Sequence, residues 1–358
     1  MNALSFPSAT LRATRRYSEA FSLPDYPRRT DGTFDREAAL RLLLDGEYGN
    51  VRTDGIRITS SVTGEEEKRF SGKCREITVE FTLCRSGDCA SFPMKIFVPY
   101  RTKHPNTVLQ LNFEERLPNQ YCPVEELMDE GIVLAHLCYR QISSDDGDFS
   151  DGIAGLICNR SEPNGAGKIA VWSYAASTAA SYLLENGYAT ESSLFIAGHS
   201  RLGKTALLTA ARDSRFSGVL SNCSGCCGAA IAREKNGETI EKICHVFPYW
   251  FSPAFPEYAG KENEMPFDQH FLLALIAPRK LCIVTAEEDT WADTDAQFLA
   301  AEAADLIYRE AGFPGLNLGG AFLPDGASVS SGTIAFAKRA GTHFFSRDDW
   351  HFFLSFIR

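Results

Sequence analysis

Apolar and polar residues alternate along Arg75 to Cys84 and again along Phe92 to Tyr100, with Ser86, Gly87 and Asp88 between the two runs. A period of two broken by turn-forming residues predicts an antiparallel β-hairpin. Before it, the leucines and alanines of Asp35 to Leu44 recur at three and four residues, which predicts one helix within an N-terminal arm, residues 1–74, packed on the core. After it, the apolar runs Thr107 to Asn112 and Ile132 to Cys138 flank a short helical stretch, Val124 to Glu130, with acidic residues in its first turn. That is the pattern of a β-α-β crossover. A longer helix is expected over Lys168 to Glu185, where Val171, Tyr174, Ala175, Thr178, Tyr182 and Leu183 share one face and Gly187 follows the end. Strand-like runs recur at Leu194 to Ala197, Val219 to Ser221, Leu281 to Ala286 and Thr333 to Ala337, with helical segments between them and a final helix near Arg347 to Phe356. Strands alternating with helices imply an α/β domain over residues 75–358, with a mostly parallel sheet covered on both faces.

Composition narrows the class of function. A chain of 358 residues that is 44% hydrophobic can bury a large core as one elaborated domain. Its formal charge of -10 repels phosphate backbones and anionic membrane surfaces, so neither nucleic acid nor membrane is expected as a partner. No run of about 18 apolar residues is present to span a bilayer. The start of the chain lacks the apolar core of a signal peptide, and the cysteines number 11, an odd count. Reduced thiols in a cytoplasm are expected from this, and no disulfide framework.

Several residues invite a chemical role that their surroundings do not support. Asp145, Asp146, Asp148 and Asp151 crowd the segment Ser143 to Gly152, but the spacing of a calcium loop is missing, so a solvated loop is expected. Cys223, Cys226 and Cys227 lack the second spaced pair of a zinc site and read as buried small hydrophobes. His136, His245 and His270 read as core histidines, and Trp172 and Trp250 as packing residues. No metal or cofactor is called for. The proline- and aromatic-rich segment Cys244 to Met265 is a long excursion of the kind that shapes a pocket.

The chemistry concentrates in Leu194-Phe-Ile-Ala-Gly-His-Ser-Arg-Leu-Gly-Lys-Thr205, where a strand ends in a glycine-bearing turn and a helix follows. From Gly198 the segment fits G-x-x-x-x-G-K-[ST], a phosphate loop that cradles a nucleotide, and Leu281 to Asp289 then resembles the strand carrying a magnesium-binding acid. Around Ser200 the same residues form a nucleophile elbow, which exposes a serine hydroxyl above the sheet at a helix N-terminus. The elbow requires an acid and a histidine downstream, in that order, and Asp289 and His343 each follow a predicted strand. Several strands precede the turn, as in the α/β-hydrolase fold, whereas a phosphate loop opens its core at the first strand. The strict G-x-S-x-G spacing is not met, because Leu202 and Gly203 follow Arg201.

These blocks, with Asn222-Cys-Ser-Gly-Cys-Cys-Gly228, Pro266-Phe-Asp-Gln-His270, Leu275-Ile-Ala-Pro-Arg279, Glu288-Asp-Thr-Trp-Ala-Asp293, Gly341-Thr-His343 and Asp349-Trp350, resemble those of the glucuronoyl esterases of carbohydrate esterase family fifteen, especially the bacterial branch. The resemblance implies a serine esterase of α/β-hydrolase fold acting on uronic acid esters of small saccharides, with a deacetylase of acetylated sugars, an acetyl xylan esterase, as the rival. It implies Ser200 as nucleophile, His343 as base and acid, Arg201 as oxyanion donor, Lys204 as a partner of sugar hydroxyls and Trp291 as a wall of the sugar site. Fungal members carry a Glu in the glycine-rich turn where this chain has Cys223, so Asp289 is expected to orient His343, with Asp293 as the alternative.

Overall fold

In the computed structural model of the protein, residues 21–101, 106–318 and 323–358 are described. The strands are β1 (Arg57–Lys68), β2 (Cys74–Arg85), β3 (Asp88–Pro99), β4 (Thr107–Asn112), β5 (Val133–Cys138), β6 (Leu194–His199), β7 (Gly218–Asn222), β8 (Lys280–Ala286), β9 (Ser328–Val329) and β10 (Ile334–Arg339). They form one sheet in the order β1-β2-β3-β5-β4-β6-β7-β8-β10-β9. The block β5-β4-β6-β7-β8-β10 is parallel throughout, and antiparallel strands close both ends.

Successive residues of a strand point to opposite faces, and here they sort into two separate cores. Leu109, Ile196, Leu281, Ile283 and Phe336 enter the larger one, together with helices α1 (Arg36–Leu43), α3 (Lys168–Glu185), α4 (Arg201–Arg212), α5 (Gln269–Ala274) and α6 (Thr294–Glu310). Val108, Phe195, Ala197, Cys282, Val284 and Ala335 enter the other, beneath α2 (Val124–Asp129) and α7 (Arg347–Ile357). Because both faces are buried, the central strands read as continuous apolar runs rather than alternating ones. This three-layer arrangement is the expected α/β-hydrolase fold. No helix among the described residues is long and apolar enough to cross a membrane.

Three expectations change. The arm of residues 1–74 is divided: residues 1–20 lie outside the described residues, α1 packs Ala39 and Leu43 into the larger core, and Arg57–Lys68 belongs to the sheet as its edge strand. Every residue of β1 is exposed, so burial imposed no apolar alternation on its sequence. The thiols are not uniformly reduced, since Cys84 and Cys89 form a disulfide. The hairpin runs closer to its turn than the alternation indicated, by one residue on β2 and four on β3, and this places Cys84 directly opposite Cys89. The Ser143–Gly152 loop is solvated at Asp146 and Asp148 but not at Asp145, whose side chain is buried against Arg201.

Candidate active site

The strand β6 ends at His199 and α4 begins at Arg201, so Ser200 alone makes the turn from one to the other. It does so with φ 57° and ψ −126°, a region that side chains with a Cβ avoid and that persists only where the surroundings impose it. Three backbone bonds impose it: Ser200 N–H donates to Asn222 O at 2.8 Å, and Ser200 O accepts from Gly203 N–H at 2.9 Å and Lys204 N–H at 3.1 Å. A Cβ on Gly198 would lie 2.1 Å from Leu202 O, so only glycine lets the helix start this close to the strand. Leu202 is fully buried in the larger core, while Gly203 faces Gly198 O and Asn222 O. The helix therefore needs its small residue at the third position after Ser200, which explains the departure from G-x-S-x-G.

Asp289 and His343, the expected acid and base, lie on the loops after β8 and β10. Glu287 N–H donates to Arg339 O and Glu288 N–H to Gly341 O, which ties the two loops together. Arg339 binds Asp349 at 2.6 Å, and Asp349 completes a capping box with Ser346 at the start of α7, so the His343 loop is anchored on both sides. His343 Nδ1 lies 2.6 Å from Asp289 Oδ2. A carboxylate only accepts, so Nδ1 carries a proton, and in the neutral imidazole this leaves the lone pair on Nε2. Burial opposes the charge of Asp289, but the hydrogen bond and charge of His343, Ala292 N–H and the Cys223 thiol outweigh it and hold the carboxyl below its usual value. The stability this contributes is present above the unfolded carboxyl pKa of about 3.9 and is lost as pH falls through the lower folded value.

Asp293 has a different task. Its side chain caps α6 by accepting from Ala296 N–H at 3.1 Å, and it also accepts from Asn236 N–H at 2.8 Å. Cys223 is buried next to Asp289, and burial pushes its thiol up, so it stays a protonated donor. Ligand atoms of Cys223, Asp289 and His343 lie within 4.8 Å of one another, the donor set of a zinc site. The 2.6 Å bond from His343 to Asp289 already uses the groups an ion would need, so the trio fits an imidazole held by a carboxylate better than an ion cage.

The rings of His343 and His199 lie 4.6 Å apart between centroids, and His199 directly precedes Ser200 in the chain. Ser200 Oγ makes no hydrogen bond among the described residues, to His343 included. His199 Nδ1 is fixed by Asn222 Oδ1 at 2.5 Å, and burial drives its pKa down to about 3, so it stays neutral beside His343. His136 and His270 are likewise buried and depressed, to about 4 and about 3.

Arg201 is gripped on several sides. Its Nη1 binds the Asp145 carboxylate, and its guanidinium lies 4.6 Å from the Trp250 ring centre and 5.2 Å from that of Phe247. Lys204 is buried, with Nζ donating to Ser224 O at 2.6 Å and lying 3.7 Å from Glu238 Oε2. Its ammonium is thus engaged by the Asn222–Gly228 turn and by Glu238, not held over the Gly198–Thr205 backbone for an anion as a phosphate loop requires. Trp291 is 50% exposed, has Lys242 Nζ 5.1 Å from its ring centre, and is joined through its carbonyl to Glu238 N–H. Sequence reasoning missed Asp145 and Glu238. One of four aspartates in a loop and one glutamate in a polar stretch carry no local signal of the partners that folding brings to them.

With this geometry established, comparison with known proteins places the chain. The family model described as glucuronyl esterase, fungi, matches residues 82–312. A carbohydrate esterase from an unknown prokaryotic organism is 37% identical over 237 residues, 65% of this chain and 54% of that protein. The 4-O-methyl-glucuronoyl methylesterase of Podospora anserina is 33% identical over 105 residues, 27% of this chain and 22% of that one. The chain thus spans about half, or less, of the length of these curated relatives. A solved glucuronoyl esterase from Solibacter usitatus superimposes with a TM-score of 0.84 at 28% identity, covering 94% of this chain and 97% of that one. A promiscuous family-fifteen esterase from the marine bacterial metagenome does so with a TM-score of 0.81, 28% identity and the same coverages. With a family model matched over more than half of its length and a shared fold, the chain belongs to the glucuronoyl esterase family.

Proposed function

We propose that the protein is a serine carboxylic-ester hydrolase that cleaves uronic acid esters on small saccharides through an acyl-enzyme. The observation that carries this reading is the Asp289–His343 bond, on loops at the same sheet edge as a strained Ser200 that Arg201 directly follows. In this reading Ser200 Oγ attacks the ester carbonyl while His343 Nε2 takes its proton. Asp289 keeps the imidazole in the required tautomer and stabilises the imidazolium. Negative charge develops on the carbonyl oxygen at the N-terminus of α4, where free N–H groups and the Arg201 guanidinium face it. His343 then protonates the leaving alcohol, and a water activated by the same imidazole releases the uronic acid and regenerates Ser200.

Trp291 offers an exposed aromatic face to the sugar ring, and Glu238, bonded through its N–H to the Trp291 carbonyl and paired with Lys204, is the source of hydroxyl partners. Trp291→Ala is expected to raise KM about tenfold with kcat little changed, because a stacking face acts on bound substrate and transition state alike. Steady-state kinetics on a benzyl glucuronate read both constants.

The test of the function itself compares methyl and benzyl glucuronates with acetate esters of sugars at equal concentration, alongside labelling by a fluorophosphonate. Faster turnover of the uronates, with the label on Ser200, is expected. Preference for acetate esters would replace this reading with a deacetylase, and the absence of any label on Ser200 would end the nucleophile assignment.

A further inference from the structure

Asp145 lies in the Ser143–Gly152 loop, 56 positions before Arg201, and its side chain is only 7% exposed. A buried carboxylate is stable only when its oxygens are satisfied, and here three donors converge on it. Arg201 Nη1 and the Tyr139 hydroxyl, at 3.0 Å, donate to Oδ2, and Trp250 Nε1 donates to Oδ1 at 2.8 Å. The Trp250 indole that donates to Asp145 also lies against the Arg201 guanidinium. One carboxylate therefore fixes both the cation and the aromatic surface that the cation rests on. The loop is itself pinned from behind, because buried Lys168 donates to Ser143 Oγ at 2.6 Å and to Asp148 O at 2.6 Å.

The grip is one-sided. Arg201 Nη1 is taken by Asp145, Nε is buried with no partner, and Nη2 makes no hydrogen bond among the described residues, while the side chain as a whole is 24% exposed. An ion pair on one edge lowers the net charge that Arg201 presents, so charge supply alone does not explain the arrangement. Direction does: a planar guanidinium held on one edge and packed on its face has a fixed aim for its remaining N–H groups.

We propose that Asp145 is a positioning residue, acting through Arg201, that sets the aim of the guanidinium at the oxyanion of the tetrahedral intermediate. This rests on the esterase reading above. Asparagine at this position keeps the size but places an NH₂ among three donors, so it can satisfy only part of the set and releases either Arg201 or Trp250. An oxyanion donor is worth about 10²–10³ in kcat, and a donor still present but misdirected loses part of that.

The experiment is a double-mutant cycle with Asp145→Asn, Arg201→Met and the double variant on benzyl glucuronate, with thermal melting of each protein. Expected is a loss in kcat on the order of tenfold or more for Asp145→Asn, with KM changed far less, and no further loss when the substitution is added to Arg201→Met. Trp250→Phe, which removes one donor and leaves the carboxylate on Arg201, is expected to lose less than Asp145→Asn. An equal loss from Asp145→Asn with and without Arg201, or a loss confined to KM, would overturn the positioning role and leave the esterase reading standing. Absence of uronate turnover by the unsubstituted protein would instead overturn that reading, and the proposal with it.

Discussion

Ser200→Ala is expected to lower kcat for a uronate ester by on the order of 10⁴–10⁶-fold while leaving the fold intact, the range found when a nucleophile that works as a unit with its base is removed. The strain at Ser200 is held by its N–H to Asn222 O and by Gly203 and Lys204 N–H to its carbonyl, all main-chain bonds that alanine retains. The hydroxyl itself holds nothing among the described residues. Circular dichroism and thermal melting should therefore match the parent, fluorophosphonate labelling should vanish, and substrate binding should persist. A residual rate near the parent's would mean that another group attacks the ester.

Asp289→Asn is expected to lower kcat by on the order of 10³–10⁴-fold, because an amide in place of the carboxylate permits the wrong imidazole tautomer and no longer stabilises the imidazolium. The paired substitution Asp293→Asn is expected to change kcat only a few-fold. Asparagine is as good a helix cap as aspartate and tolerates the positive φ of 57° at that position. Asp293→Ala, which deletes both the cap and the acceptor of Asn236 N–H at a position of positive φ, is expected to cost about 2 kcal/mol or more of stability with activity otherwise kept. Kinetics and melting of the three variants together separate an orienting acid from a structural one. If Asp293→Asn produced the large kinetic loss and Asp289→Asn the small one, the assignment would be reversed.

The same two aspartates show where local sequence stops being informative. They stand four positions apart in one loop, both after β8, and periodicity treats them alike. Their partners differ only because β10 lies next to β8 in the sheet, which brings His343 against Asp289, while Asp293 falls at the N-cap of α6. Asp145 is a stronger case. A run of aspartates ordinarily stays hydrated, and nothing in its neighbours announces Arg201, Trp250 and Tyr139 as partners, two of which come from distant segments. The Cys84–Cys89 disulfide was closer to being legible. Ser86, Gly87 and Asp88 mark the turn, but an alternation that begins at Phe92 leaves Cys89 outside the strand and hides the register that sets it opposite Cys84.

What the chain alone determined is whatever depends on neighbours a few positions away. The α3 helix spans the range its 3.6-residue pattern marks, the central strands lie where their apolar runs do, and Ser200 sits in a strand-to-helix turn that glycines at 198 and 203 make possible. What the tertiary structure decided is how groups far apart in the chain share their bonds. It set Asp289 rather than Asp293 against His343, buried Lys204 under Ser224, and closed Asp145 around Arg201. The reason is physical: hydrophobic period is written locally wherever an element buries a face, but the partner of a buried charge is chosen by which loops the sheet order brings to the same edge.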